Sequence, residues 1–339
     1  MTNYKRLSDL EREEISRMLS QKRSFRDIAK ALSRDVSTIS REVRAGSCNQ
    51  YTYRAIKAQN RARRNAAKRK LGKHKLNDNQ ELWTYIRQKL TKKKWSPRQI
   101  AEELKKDYPL DMTMHISPEA IYTYIYVLPR GALKKELIAS LRRNHKRRHK
   151  QARELKMERK LEDMLSIEER PREVEDRIVP GHWEGDLIIG KYNRSALGTL
   201  VERTTRATIL VPIKNREAET VAKAFAKEVK KLPKQMRLSM TYDQGREMAR
   251  HKLFTNITGV KVYFAHPRSP WERGTNENTN GLIRQFFPKG TEFNKVSRYE
   301  VKKVQDLLNG RPRQALGFEK PYEVFNKLMN NAVALNSRN

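Results

Sequence analysis

Apolar residues recur at helical spacing through the first 135 positions and change to short strand-like runs after about residue 179, which predicts a helical front half and a mixed α/β back half. In the front, Leu10, Ile15, Met18 and Leu19 predict the buried face of a first helix, opened by a capping box at Ser8 and Glu11. Ser24 and Asp27 open a second helix that buries Phe25, Ile28, Ala29 and Leu32. After the break at Ser33-Arg34-Asp35, a third buries Val36, Ile39 and Val43. Helix, tight turn and helix follow one another as in a helix-turn-helix unit. A second helical group follows. Leu82, Ile86 and Leu90 mark its first helix, and Ser96-Pro97-Arg98-Gln99 caps the next, with proline at the first helical position ahead of Ile100 and Leu104. Ser117-Pro118-Glu119 opens the last, with Ile121, Tyr124 and Ile125 inward.

In the back half, runs at 183–189, 199–202 and 207–213 predict three strands joined by short links as an antiparallel meander. A helix over 216–231 buries Val221, Ala222, Phe225 and Val229. Strands over 237–242 and 260–264 flank a helix near 248–255. Residues 267–289 then read as a loop entering a helix that Pro288 stops, with Leu282, Ile283, Phe286 and Phe287 as its apolar stripe. That helix starts at Trp271, with Ser269 and Glu272 as a capping pair, or at Thr275, which leaves Glu272 in a mobile loop.

Charge changes the picture of the front half most. The 339 residues carry 74 Lys and Arg against 39 Asp and Glu, a formal net charge of +35. Residues 1–150 hold 38 basic and 15 acidic side chains, and residues 151–339 hold 36 and 24. Such a bias opposes compactness unless a polyanion is bound, so nucleic acid is the expected partner. On the third helix Ser37, Thr38, Ser40, Arg41 and Arg44 face outward and suit a DNA major groove. The run 54–73 offers Arg61, Arg64 and Lys68 to phosphates, and the second helical group adds Arg98, Tyr122 and Thr123. The competing readings are a helical bundle with a solvated polar face, a charged linker and a dimerisation module. His145 and His149, in the dense basic stretch after Leu141, have no nearby ligand partners and suit phosphate better than metal. Cys48 is alone, no run of 18 apolar residues exists and no signal peptide is evident, so a cytoplasmic, nucleoid-associated protein without membrane contact or small-molecule substrate is expected.

The candidate chemistry lies in three carboxylates. Asp186 in the segment WEGDLIIG and Asp243 in TYDQG stand on strands, and Glu277 stands on the helix after them, beside Asn280 and Arg284 at i+3 and i+7. Glu184, two residues before Asp186, shares its strand face and is an alternative ligand. His182 and His266 border these segments as ordinary hydrogen-bonding residues, and Arg311 and Arg313 either bind DNA or fix a turn. The order of elements and acids resembles the ribonuclease-H-like core of DDE transposases and retroviral integrases. The segments WEGDLIIG, TYDQG, SPWERGTNENTNGLIRQFFPKG and NGRPRQALGFEKP resemble the insertion-sequence-thirty family of bacterial transposases over nearly the whole chain.

That resemblance implies that the first and fourth strands lie side by side, and that Asp186, Asp243 and Glu277 hold two Mg²⁺ ions, with Mn²⁺ as a substitute. It also implies cleavage at the terminal inverted repeats of an element, strand transfer into target DNA, which in that family can pass through a circular intermediate, and a homodimer or higher oligomer on paired ends. The expected layout is a helix-turn-helix domain at 1–50, a basic linker at 51–74 and a second helical DNA-binding domain at 75–135. A basic linker at 136–177 then leads to an α/β ribonuclease-H-like domain at 178–339 with a helical C-terminal extension. A DNA-binding regulator without catalysis and a nuclease that reads junction shape are the alternatives.

Overall fold

The computed structural model describes residues 6–46, 52–70, 75–142, 163–267 and 269–336. It divides into two compact units, Met1–Gln80 and Glu81–Asn339. The basic stretch with His145 and His149, Cys48, and the side chain of Lys68 lie outside the described part.

In the first unit, α1 (Asp9–Ser20) and α2 (Phe25–Ala31) both begin at observed capping boxes, Ser8 with Glu11 and Ser24 with Asp27. They are followed by α3 (Val36–Gly46), α4 (Ala55–Lys70) and a single turn, α5 (Lys75–Asp78). The core comprises Leu7, Ile15, Leu19, Ile28, Ala29, Ile39, Val43, Tyr53 and Ala58. Two expected core residues are outside it: Leu10 is 83% exposed and Val36 43%. Stepping back by i−3 from Ile15 reaches position 12, not 10, and Arg12 occupies it. Its buried guanidinium is held by Glu42 at 2.9 Å and the Leu7 carbonyl at 2.9 Å. Val36 opens α3, one turn before the packed Ile39.

The second unit opens with four helices, α6 (Gln80–Thr91), α7 (Pro97–Asp107), α8 (Pro118–Val127) and α9 (Ala132–Ser140). Leu82, Ile86, Leu90, Trp95, Ile100, Leu104, Ile121 and Ile125 are buried there. This helical group packs on the C-terminal region of the core. Gln99 Nε2 donates to the Pro312 carbonyl at 2.6 Å, Lys106 Nζ to the Phe318 carbonyl at 2.9 Å, and Lys320 pairs with buried Glu103.

Next come β1 (Leu165–Ser166), the one-turn α10 (Glu173–Asp176), β2 (His182–Ile189), β3 (Ala196–Glu202), β4 (Thr208–Ile213) and α11 (Ala218–Val229). Then follow β5 (Ser239–Tyr242), α12 (His251–Thr258), β6 (Lys261–Phe264), α13 (Gly274–Ile283), α14 (Arg298–Asn309) and α15 (Pro321–Asn336). One sheet runs β1-β6-β5-β2-β3-β4, with β2, β3 and β4 antiparallel and β5, β6 and β1 parallel beside β2. The expected neighbours, first and fourth strands of the core, are β2 and β5. Residues 165–166, expected as linker, instead pair with β6 as an edge strand. The strand expected from 237 begins at Ser239 because Lys234–Met236 form a 3₁₀ turn.

Alternation along β2 sends Leu187 to one face and Ile188 to the other. Leu187 packs in the cluster with Phe225 and Phe254 of α11 and α12, and Ile188 packs with Leu282, Ile283, Val304 and Leu308 of α13 and α14. Helices therefore cover both faces of the sheet, and α13 lies on the face to which Glu184, Asp186 and Ile188 point.

Candidate active site

The register of β2 against β5 puts Glu184 opposite Thr241. Two residues further along these parallel strands stand Asp186, in the middle of β2, and Asp243, just past the end of β5, which therefore lie level on neighbouring strands. Between them, on the opposite face, Gly185 leaves room for the Tyr242 ring: a Cβ there would stand 2.7 Å from the ring. Asp243 closes the turn after β5 by accepting the Gly245 N–H at 3.1 Å.

Arg273, the residue just ahead of α13, spans the two carboxylates. Its Nη2 lies 2.9 Å from Asp243 Oδ2, its Nη1 lies 3.7 Å from Asp186 Oδ1, and Nη1 also donates to the Gly185 carbonyl at 3.2 Å. Burial opposes the charge on Arg273, but Asp243 and Asp186 outweigh it and its pKa ends above the ordinary arginine value. Burial pushes Asp186 up to about 6, with Asp243 adding to the rise and Arg273 opposing it. Asn280 donates Nδ2 to Asp186 Oδ2 at 2.7 Å, while its buried Oδ1 has no hydrogen-bond partner. Two carboxylates, a guanidinium standing as a cation between them and an unpartnered amide oxygen fit a hard divalent cation, which takes oxygen ligands.

Glu277 is exposed on α13. Among the described residues no three His, Cys, Asp or Glu side chains converge tightly enough to hold a metal. The fold thus joins Asp186 to Asp243 and leaves Glu277 outside the pair. It does place Glu277 on the helical stripe that also carries Arg273, at i−4, and Asn280, at i+3, both of which touch Asp186.

Glu184 is fully buried and committed to structure. Arg203 Nη1 lies 2.7 Å from its Oε1, and the Asn276 N–H in the first turn of α13 donates to its Oε2 at 2.8 Å. Asn276 returns a bond from Nδ2 to the Glu184 carbonyl at 2.8 Å and accepts one on Oδ1 from Thr199 Oγ1 at 3.0 Å. These bonds seat the start of α13 on β2 and β3. The helix begins at Gly274, after a 3₁₀ turn over Pro270–Arg273. Ser269 makes no cap, and Glu272 lies in the 3₁₀ turn, where it accepts from the His266 N–H at 2.7 Å and contacts His266 Nδ1 at 2.8 Å. That contact also raises the His266 pKa.

Arg284 donates to the carbonyls of Ile189 at 2.9 Å and Pro288 at 3.2 Å, bracing the end of β2. His182 is buried against Ser239. Of the expected DNA contacts, Ser37, Arg41, Arg44, Arg64, Arg98 and Thr123 are exposed, and Thr38, Ser40 and Tyr122 are half-buried. Arg61 turns toward Glu42, at 3.4 Å. Arg311 and Arg313 are buried. Sequence patterning missed Arg273 and Glu247. Glu247, four residues past Asp243, is pushed up by burial and contributes to the rise at Asp186. One turn of spacing from an acidic candidate was the available signal for both.

Comparison with known proteins agrees with this architecture. A helix-turn-helix domain family model matches residues 3–46, and an integrase core domain family model matches residues 176–270. The chain is 42% identical over 331 residues to the transposase for insertion sequence element IS1086 of Cupriavidus metallidurans, covering 97% of each protein. It is 45% identical over 320 residues to the transposase InsI for insertion sequence element IS30A of Escherichia coli K12, covering 94% of this chain and 82% of that protein. The transposase for insertion sequence element IS4351 of Bacteroides fragilis is 35% identical over 339 residues, covering 98% and 99%. With a helix-turn-helix unit, an integrase core and relatives this similar from end to end, the chain belongs to the IS30 family of transposases.

Proposed function

We propose that the core catalyses Mg²⁺-dependent 3′-end cleavage and strand transfer at the terminal inverted repeats of its element, with Asp186, Asp243 and Glu277 as the metal-holding residues. The observation that supports this most is the Arg273 guanidinium held between Asp186 and Asp243, a cation site where the end of β5 meets the middle of β2. Asp186 and Asp243 offer oxygens from the sheet. Glu277, on the same helical stripe as Arg273 and Asn280, turns in from α13 when the guanidinium leaves. Asn280 fixes the rotamer of Asp186 through its Nδ2 bond and has Oδ1 free to face a cation.

A pair of Mg²⁺ ions, replaceable by Mn²⁺, would polarise the phosphodiester, lower the pKa of the attacking hydroxyl and offset charge on the leaving oxygen. The protein's part is placement: Glu184 and Asn276 hold α13 at a fixed height above β2, so the helix backbone that carries Glu277 and Asn280 keeps its distance from Asp186. Released from the carboxylates, Arg273 is positioned to pair with a DNA phosphate beside the reacting one. Ser37, Thr38, Ser40, Arg41 and Arg44 read the repeat, while Arg61, Arg64, Lys68, Arg98, Tyr122, Thr123 and Arg284 contact or support the DNA path. The second helical group is a further DNA-binding module, and two chains act together because two ends must be joined.

The test is incubation of the purified protein with a duplex carrying an inverted repeat and its flank, with Mg²⁺ or with EDTA. Expected are 3′ nicks at the repeat end and joined products with Mg²⁺ only. Cleavage that ignores the repeat and follows junction shape, or binding without any cleavage, would overturn the proposal.

A further inference from the structure

Behind α13, on the side away from Asp186, lies a cleft of about 670 Å³ in the second unit. Its lining includes Arg98, Arg142, Arg177, Arg206, Arg311 and Arg313, and no carboxylate. Thr275, Asn278, Thr279 and Leu282 of α13 complete one wall. At 100° per residue these four lie roughly opposite the stripe of Arg273, Glu277 and Asn280, so the same helix separates the cleft from the acidic pair.

Five of these arginines make no direct ion pair with a described carboxylate. Among the described residues, Arg98, Arg177, Arg206, Arg311 and Arg313 have no Asp or Glu within ion-pair distance. Arg311, 2% exposed, spends its donors on the amide oxygens of Gln99 at 3.0 Å and Gln285 at 2.7 Å. Arg313, 7% exposed, donates Nη2 to the Leu308 carbonyl at 3.2 Å, and its buried Nε has no partner. Arg206 gives Nη1 to Thr275 Oγ1 at 2.6 Å, and its buried Nε is likewise unpartnered. Burial pulls Arg311 down to about 9 and Arg313 to about 10, with neighbouring arginines adding to the shift. Sequestering cations beside other cations is costly unless an anion completes the group. The walls supply forked donors suited to a phosphodiester. Arg98, over the Phe318 ring at 5.6 Å, and Arg142, donating to Asn278 Oδ1 at 2.7 Å, stand exposed on the lining.

We propose that this cleft is a second DNA phosphate site, gripping the backbone of bound DNA from the side of α13 opposite the reacting phosphodiester. It rests on DNA being the substrate of the core. A helix is about 10 Å across, and B-form DNA rises about 3.4 Å per nucleotide along a strand. The gripped phosphate therefore lies within a few nucleotides of the cleaved bond.

The experiment is an interference assay with the full chain in EDTA, using end duplexes that carry one neutral methylphosphonate at each position in turn. The variant is Arg98→Ala with Arg142→Ala, both on exposed side chains, and Arg311→Gln probes the buried wall, each checked for native circular dichroism. In the unaltered protein, neutralising one or two phosphates within a few nucleotides of the cleavage position should weaken binding roughly ten-fold. In the double variant that sensitivity should vanish while sensitivity at the helix-turn-helix contacts stays. The slope of log affinity against log salt should then fall by about 0.9 for each phosphate whose contact is lost. An unchanged interference pattern and slope in both variants would overturn the proposal. So would thermal stabilisation by inorganic pyrophosphate that the variants lose while their DNA pattern stays intact, since the cleft would then take a free anion. Binding is read without metal, so a failure of the catalytic assignment leaves this result interpretable, and a failure here leaves metal-dependent nicking untouched.

Discussion

Glu184 and Asp186 stand two residues apart on one face of β2, and each has an arginine beside it, yet the two pairs are built for different ends. The Glu184–Arg203 pair is closed: 2.7 Å apart, side chains 0% and 5% exposed, the second carboxylate oxygen taken by the Asn276 N–H. The Asp186–Arg273 pair is open: 3.7 Å apart, with Asp186 21% exposed and Arg273 shared with Asp243. A closed pair fixes a helix on a sheet. An open pair leaves a carboxylate under-compensated, and the upward shift of Asp186 to about 6 is the electrostatic sign of it. The contrast separates an acid locked into the packing of α13 from one left partly exposed and loosely paired, at positions that strand periodicity alone treats as equivalent.

The largest effect should come from breaking the closed pair. Arg203→Met leaves Glu184 buried and uncompensated, and is expected to cost about 3 to 5 kcal/mol in the denaturant-monitored unfolding of the core. A cost below about 1 kcal/mol would mean that the pair does not hold α13. At the open pair the sign reverses. Asp186 has a folded pKa of about 6 against an ordinary 3.8, so the stability it contributes is full below 3.8 and is lost as pH rises through 6. Asp186→Asn removes the ionised group and should raise metal-free stability at pH 8 by about 2 kcal/mol, a gain that shrinks below pH 6. Destabilisation at pH 8 would contradict the open-pair description.

Arg273→Ala removes the resident cation and should tighten Mn²⁺ binding, followed by calorimetry, by about ten-fold, or about 1.4 kcal/mol. Weaker binding would mean that Arg273 orders the carboxylates instead of competing for them. The smallest effect is expected in the first unit. There Arg34, followed by the Ser8 cap, holds Glu11 down to about 2 from 4.5. That stabilisation is present above pH 4.5 and is lost as pH falls through 2, so Glu11→Gln should cost about 1 kcal/mol at pH 7 and little at pH 2, by thermal melts.

Much of this was legible in the chain. Capping boxes at Ser8, Ser24 and Ser96 are local chemistry and appear where expected. The strands bearing Asp186 and Glu184 and the helix bearing Glu277 follow from apolar spacing, and the neighbouring of β2 and β5 followed from resemblance. What stayed hidden depends on tertiary partners. Leu10 and Arg12 exchange roles because Glu42, thirty residues on, offers Arg12 a buried counter-charge. The two-residue β1 has too little pattern to announce a strand and exists because β6 presents a free edge. Arg273 reads as one basic residue among many until Asp186 and Asp243 are brought to either side of it. Glu272 looked like a cap by spacing, but His266, six residues earlier, claims both its oxygens.

The most direct test of the catalytic assignment is strand transfer from a pre-cleaved inverted-repeat end in Mg²⁺, comparing the unaltered protein with Asp186→Asn, Asp243→Asn and Glu277→Gln. Each substitution is expected to reduce joined product to background while repeat-specific binding in EDTA stays within about two-fold. Joining that persists in any one of the three would contradict the assignment of that carboxylate, and persistence in Glu277→Gln would leave the site to Asp186, Asp243 and a different third group.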